Sequence, residues 1–328
     1  MTASWTPLHA GLHQLLRDRQ LLTRGQSILM AVSGGQDSLC LAKLLLDLQP
    51  KWHWHLAIAH CDHRWRPDSI ANATFVRDLA QTWQVPYFQQ TADPTPPSEA
   101  AAREWRYHGL TQIAQQQGYS HVVTGHTASD RAETLLYNLV RGSGMDGLQA
   151  LTWQRPLTPA VMLTRPLLAI TRAQTAEFCQ QQALPVWEDT TNQDLHHARN
   201  RIRLDVLTYL RAHLNPQVDC TLAQTAELLQ AEVEFLEQEA TRLRLQASDP
   251  QMPNGCQRQI LLAAPVALQR RVARQVLRQL LPISPGFDHV EKLVALLSAP
   301  HRSQTDPFPG GAIAQVDGDW IRFIHLQN

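Results

Sequence analysis

Apolar and polar positions along this chain switch between two periods. Leu8, Leu12, Leu15, Leu16 and Leu22 recur at helical spacing and predict a first helix ending near Gly25. Residues 27–32 (S-I-L-M-A-V) form a short apolar run that predicts a buried strand, and a helical pattern follows over about 38–48. Residues 54–60 predict a second strand, 70–85 a helix and 86–91 a short strand. Asp93-Pro94-Thr95-Pro96-Pro97 is a loop. Ser98 is placed to N-cap the next helix, with Glu99 in its first turn, and that helix runs to about Gly118. Residues 121–125 predict another strand and 129–140 another helix. Strands alternating with helices predict a parallel sheet covered on both faces, with ligands bound beyond the carboxyl ends of the strands. Three segments rich in chemistry, 33–38, 60–66 and 124–133, fall at those ends.

The alternation stops near Asn215-Pro216. Leu222, Ala226, Leu229, Val233, Leu236, Ala240 and Leu243 then predict one long amphipathic helix. It spans only about three heptads, which favours core or interdomain packing over a coiled coil. A polar loop at 247–255, a helix at 269–281 and a β-hairpin follow, the hairpin pairing 312–316 with 320–324 through Asp317-Gly318. The expected fold is therefore an α/β domain over 1–218 and a smaller, mainly helical domain over 219–328 that ends in a β-hairpin.

Composition narrows this only slightly. The 328 residues suffice for about two domains, and 29 basic and 29 acidic residues cancel, so net charge points to no partner. Only Lys43, Lys51 and Lys292 are lysines; the remaining basic residues are arginines. Arginine suits phosphate contacts, although a GC-rich genome would enrich it equally well. The five cysteines are odd in number and lack C-x-x-C spacing, which argues against a disulfide framework, a zinc knuckle or an iron–sulfur cluster. There is no basic-then-apolar leader and no apolar run of about 20 residues, so a cytoplasmic, membrane-free protein is expected.

The first of the three segments reads Ser33-Gly34-Gly35-Gln36-Asp37-Ser38. Two glycines let the backbone approach an anion, and the following helix N-terminus offers unpaired N–H groups to it. The spacing and lysine of a Walker A loop are absent. The hexapeptide instead resembles the PP-loop of the ATP pyrophosphatases, which cleave ATP between its α- and β-phosphates.

Further segments carry a narrower resemblance. His60-Cys61-Asp62-His63-Arg64-Trp65-Arg66 resembles H-x-[ND]-H-x-L-R, with Trp65 in place of the usual leucine. Glu99, Arg103, Arg106 and Tyr107 fit E-x-x-A-R-x-x-R-Y. Thr124-Gly125-His126, Asp130, Glu133 and Thr134 fit T-G-H-x-x-x-D-x-x-E-T. Arg141-Gly142-Ser143-Gly144, Arg165-Pro166-Leu167-Leu168, Trp187-Glu188-Asp189-Thr190-Thr191-Asn192 and Arg199-Asn200-Arg201-Ile202-Arg203 follow in order. Together these segments resemble the tRNA(Ile)-lysidine synthetases, in their short form, over residues 33–203.

That resemblance implies ATP, Mg²⁺, free lysine and a CAU-anticodon isoleucine tRNA as reactants and partners. It implies ATP binding by Ser33, Gly34, Gly35, Gln36, Asp37 and Ser38, with His60 and His63 as nucleotide contacts. Asp37 is the expected Mg²⁺ ligand, since Mg²⁺ takes one or two carboxylates plus phosphate oxygens. Asp130 and Glu133 are implied to hold lysine, with His126 close to the reacting phosphate. Arg103 and Arg203 are candidates for stabilising transition-state charge. Arg106, Arg199 and Arg201, with an i, i+4, i+8 stripe of Arg270, Arg274 and Arg278, are candidates for gripping tRNA, though a solvated helix face explains the stripe equally well. Homodimerisation stays open. The competing readings are a thiolating PP-loop enzyme, for which paired cysteines are missing, and a non-catalytic ATP-binding module.

Overall fold

The computed structural model describes residues 5–187, 198–252 and 255–325. The chain divides into two compact units, Met1–Gln230 and Ala231–Asn328.

The first unit is built on a six-stranded sheet of order β3-β2-β1-β4-β6-β5. β1 (Ser27–Ala31) lies between β2 (His55–Asp62) and β4 (His121–Thr124), parallel to both. β3 (Tyr87–Thr91) extends the sheet beyond β2, and β6 (Val161–Thr164) extends it beyond β4, again parallel. The order steps outward from β1 to β3, then resumes on the other side at β4. The switch point therefore lies between the ends of β1 and β4, where such sheets bind ligands. Alternation along β1 explains the burial on both faces: Ile28 and Met30 pack into one cluster, Leu29 into the other.

Helices connect the strands: α1 (Pro7–Asp18), α2 (Gln36–Trp52), α3 (Ser69–Thr82), α4 (Glu99–Gln117) and α5 (Ala128–Val140). The caps read from the sequence are present. Ser98 Oγ accepts from the Ala101 N–H at 3.2 Å, and Gly118 closes α4 at φ +75°.

Three features depart from the expected pattern. α1 ends at Asp18 rather than near Gly25, because Gln20 turns the backbone left-handed at φ 51°; Leu21 and Leu22 continue the apolar series only as buried turn residues. β5 (Gln154–Thr158) runs antiparallel to β6, making the sheet mixed. Both strands are short, and β5 carries Pro156, which confines it to an edge and hides its period. The stretch up to α10 adds α6 (Met145–Leu148), α7 (Arg172–Gln181), α8 (Ala198–Arg201), a π-helical turn at Ile202–Val206 and α9 (Leu207–His213).

The long helix α10 (Val218–Gln246) begins in the first unit. Arg211 grips its first turn through Asp219 at 2.6 and 2.8 Å. Two turns on, Glu227 accepts from Arg131 (2.6 Å), from the Trp153 indole (2.7 Å) and from Arg19 (2.7 Å). Arg131 is almost wholly buried, so Glu227 supplies the charge partner that makes its burial tolerable.

The second unit holds α11 (Arg258–Leu262), α12 (Val266–Leu280), α13 (Phe287–Ala295) and a three-stranded antiparallel sheet. The expected hairpin is β8 (Ala312–Asp317) and β9 (Trp320–His325), turned at Gly318 with φ +62°. A third strand, β7 (Gly255–Gln257), pairs with β9 and was too short to announce itself. Leu277, Ala314, Val316 and Ile321 are at the centre of this unit's core.

One contact positions the switch point. A Cβ on Gly125 would lie 2.7 Å from the Asp37 carbonyl oxygen and 2.9 Å from the Ser38 nitrogen, both backbone atoms that cannot rotate away. Gly125→Ala is expected to cost about 1–3 kcal/mol through overpacking. Urea unfolding of the variant measures this; a midpoint equal to wild type would show that the strand ends are not held this closely.

Candidate functional site

The carboxyl ends of β1, β2 and β4 open into a cavity of about 650 Å³, within the range of small-molecule sites. Its lining includes Ser33, Gly35, Gln36, Asp37, Ser38, His60, His63, Arg106, His126 and Asp130. The sequence thus brought together ten of its candidates from four separate segments.

The 33–38 loop forms because Gly34 adopts φ +91°, and Gly35 then starts α2 from an extended conformation. Ser38 locks the turn. Its hydroxyl donates to the Gly35 carbonyl at 2.8 Å and accepts the Ser33 N–H at 3.2 Å. This leaves the first N–H groups of α2 directed at the cavity mouth, with the helix dipole behind them.

Asp37 stands in the first turn of α2. Its Oδ1 accepts from the Thr175 hydroxyl and, at 3.3 Å, from Gln36 Nε2; Arg172 Nε is 3.6 Å from Oδ2. Burial, aided by the nearby charge of Asp130, pushes its pKa up, against the pull of Arg172. Asp37 could hold a Mg²⁺ together with phosphate oxygens, since that ion takes one or two carboxylates beside them.

His60 is buried, and its Nδ1 donates to the Val32 carbonyl at 2.8 Å. Burial lowers its pKa, so it is neutral, with a proton on Nδ1 and a lone pair on Nε2. Asp62 performs a structural task, accepting the Arg64 N–H at 2.9 Å where the chain turns left-handed at φ 58°. Trp65, the departure from the usual leucine, lies tilted against His63 with ring centroids 4.8 Å apart and donates its indole N–H to the Pro96 carbonyl at 2.8 Å.

β4 and α5 supply the opposite side. Thr127 and Asp130 form a capping box: Asp130 Oδ2 accepts from Thr127 N and Oγ1, both at 2.7 Å. One turn on, Glu133 is only 4% exposed and does not line the cavity; it binds Arg203 bidentately at 2.7 and 3.0 Å. Burial and Asp130 raise the Glu133 pKa even so. Arg203 reaches it from the π-helical turn, a distortion of the kind often found at functional sites. The pair counters part of the negative charge of Asp37, Asp130 and Glu133.

A cluster of arginines stands around Tyr107 and His126, and of these Arg106 lines the cavity. Arg103, Arg106 and Arg155 have their guanidiniums 5.1, 5.6 and 4.8 Å from the centroid of the Tyr107 ring. Arg165 is buried, donating to the Thr152 carbonyl at 2.6 Å. Arg199 is 3.8 Å from Glu99 and 5.7 Å from the Tyr137 centroid. Desolvation, then Arg165, Arg106, Arg103 and Arg199, push the pKa of His126 well down, so His126 is neutral; Thr124 Oγ1 lies 2.8 Å from its Nδ1.

Other candidates stand elsewhere. Arg201 is exposed on α8. In the second unit Arg270 binds Glu291 bidentately at 2.7 and 3.0 Å on the surface, and Arg274 and Arg278 are also engaged with neighbours. Arg271, beside the stripe, is buried against Glu237 at 2.7 Å. Of the W-E-D-T-T-N element only Trp187 is described; residues 188–192 lie outside the described residues. Sequence reasoning missed Arg172 and Thr175, the partners of Asp37. Neither belongs to a recognisable spacing, and only the packing of α7 against α2 reveals them.

Comparison with known proteins agrees with this architecture. Residues 6–210 match the PP-loop domain family, and residues 257–319 match the TilS substrate binding domain. A tRNA(Ile)-lysidine synthase of Nostoc sp. is 59% identical, covering 97% of this chain and 96% of its own length. One from Synechocystis sp. is 52% identical over 98% of this chain and 99% of its own. A chloroplastic tRNA(Ile)-lysidine synthase of Zygnema circumcarinatum is 36% identical, covering 86% and 77%. Among solved structures, the U34-tRNA thiolase NcsA from Methanococcus maripaludis with its [4Fe-4S] cluster superposes with a TM-score of 0.57 over 67% of this chain and 78% of that one. At 15% identity that likeness concerns the fold alone. A PP-loop domain with this pocket, followed by a matching second unit and near full-length relatives, leads to one placement: the chain belongs to the tRNA(Ile)-lysidine synthase family.

Proposed function

We propose that this protein joins free lysine to C2 of the wobble cytidine in a CAU-anticodon isoleucine tRNA, consuming ATP and releasing pyrophosphate and AMP. The observation that carries the reading is the pocket's opposed charge. One side offers the N–H groups of α2 and Arg106 for phosphate, the other the Asp130 carboxylate for an ammonium group. A module that only senses ATP has no use for that carboxylate.

Cytosine O2 is a poor leaving group, and adenylation turns it into AMP. The 33–38 loop and α2 hold the polyphosphate, His60 and His63 line the nucleotide side, and Asp37 would hold a Mg²⁺, which would supply charge neutralisation to the phosphates. Arg103 and Arg106 offset the charge that develops around the α-phosphate. Lysine must then attack as a neutral amine. At pH 7 that form costs about 4.6 kcal/mol, given a reference pKa near 10.4. An imidazolium at 126 would stand among guanidiniums, so His126 acts as a neutral hydrogen-bonding ring beside the phosphate. The amine's proton leaves toward Asp130 at the cavity wall, with Glu133, whose pKa burial raises, one turn behind it. Arg203 fixes the Glu133 carboxylate in place and balances it once the proton has moved on.

Arg199, Arg201 and the stripe Arg270, Arg274 and Arg278 engage tRNA phosphates. The exposed Arg270–Glu291 pair is of the kind that contributes little to stability, so Arg270 can exchange its partner for a phosphate. The reaction takes place in the cytoplasm, as one chain or a dimer. Thiolation is disfavoured by the thiols themselves. Cys61, which lines the cavity, is pushed up to about 12 by burial, and all five cysteines are free.

Asp37→Ala is expected to abolish tRNA-dependent pyrophosphate release, measured with a coupled phosphate assay, while the far-UV spectrum stays native. A folded variant with normal release would remove Asp37 from the metal site. Glu133→Gln is expected to raise the KM for lysine at least tenfold, about 1.4 kcal/mol, and the KM for ATP less than twofold. Adenylated tRNA should still accumulate; impaired ATP binding with unchanged lysine KM would contradict the assignment. Neutralising Arg270, Arg274 and Arg278 together should lower the slope of log K for tRNA against log salt by about 2 to 3. A wild-type slope, measured by filter binding across a salt series, would make the stripe a solvated face.

A further inference from the structure

Among the described residues, one polar group in the cavity wall lacks a hydrogen-bond partner. Asn72, on α3, is 3% exposed, and among the described residues its Nδ2 donor makes no hydrogen bond. The side chain lines the cavity beside the loop that begins α2. A Cβ on Gly34 would lie 2.7 Å from Nδ2, so the amide sits directly over the Gly34 backbone. The absence of a Cβ at Gly34, already required by φ +91°, thus also makes room for this amide.

The amide is held there by its surroundings. Trp187 donates its backbone N–H to the Gly34 carbonyl at 3.0 Å and its indole N–H to Asp68 Oδ2 at 3.1 Å, at the start of α3. Its ring packs on Phe75 at 5.4 Å. Trp187 therefore ties the glycine loop to α3 and fixes Asn72 between them. A buried amide donor left unpaired costs stability in the free protein, commonly 1–3 kcal/mol for such a group. A rigid, desolvated donor beside the anion-binding turn regains this cost only from an acceptor that enters the cavity.

Resting on the reading that this cavity takes ATP, we infer that Asn72 is a nucleotide-binding residue that donates to an oxygen of the β,γ-diphosphate held by the 33–38 loop. It adds a neutral, directional donor to the N–H groups of α2. It therefore reads the pyrophosphate half of the nucleotide, not the nucleoside half.

The test uses the full-length protein with Mg²⁺, titrated by calorimetry with ATP, inorganic pyrophosphate and AMP. Asn72→Ala should weaken ATP and pyrophosphate about tenfold and leave AMP within twofold, as expected for one hydrogen bond to a charged group. Asn72→Asp, nearly isosteric, should weaken pyrophosphate further, because a carboxylate replaces the donor. The Tm of nucleotide-free Asn72→Ala should hold or rise, since an unpaired buried donor is gone. Equal weakening of AMP and pyrophosphate, or a lowered Tm with unchanged pyrophosphate affinity, would make Asn72 a packing residue and overturn the inference. If the wild-type protein bound neither ATP nor pyrophosphate, the nucleotide reading itself would fall, and this one with it.

Discussion

The close approach of Gly125 to the start of α2 is the constraint on which the rest of the site depends. Two backbone segments from neighbouring strands meet where only a hydrogen fits. That contact fixes the turn after β4 against the turn after β1. The Thr127–Asp130 capping box and the phosphate-facing N–H groups of α2 therefore open on the same cavity. Had the strands been spaced by an alanine, the two halves of the chemistry would have been held apart by a side chain.

Electrostatics then decides what each half can do. Burial raises the pKa values of Asp37 and Glu133, against the pull of Arg172 on the one and Arg203 on the other. Desolvation and the surrounding guanidiniums lower that of His126. The shifts run in opposite directions because burial disfavours the charged form of each group, which moves a carboxyl up and an imidazole down. Arg203 keeps this arrangement affordable in the free protein. Its bidentate contact opposes the upward push of burial on Glu133, while Asp130 remains at the cavity wall.

Much of the fold was legible because local signals agreed with one another. The apolar run at 27–32, the Ser98 and Gly118 caps and the Asp317-Gly318 turn each name their own element, and the structure places all of them. The edge strand β5 and its neighbour β6 were not legible. They are five and four residues long, with Pro156 and half-buried positions in β5, so no period can establish itself. In the site, the 33–38 loop and the 124–133 segment could be read because their chemistry is contiguous. The partners of those residues could not. Thr175 and Arg172 reach Asp37 across 138 and 135 residues of sequence respectively, Arg203 reaches Glu133 across 70, and each of these pairings is a product of packing alone. The surroundings of the arginine stripe also needed the structure, which shows Arg270 in a surface ion pair and its neighbour Arg271 buried in another.

The central claim is that one pocket activates a base with ATP and then delivers an amine to it. Its most direct measurement is incubation of the protein with ATP, Mg²⁺, isotopically labelled lysine and a CAU-anticodon tRNA transcript, followed by nucleoside mass analysis. The account predicts that the wobble cytidine alone gains the labelled lysine, with one AMP and one pyrophosphate released per modified tRNA. An unmodified wobble cytidine despite ATP consumption, or a label found on another nucleoside, would contradict it.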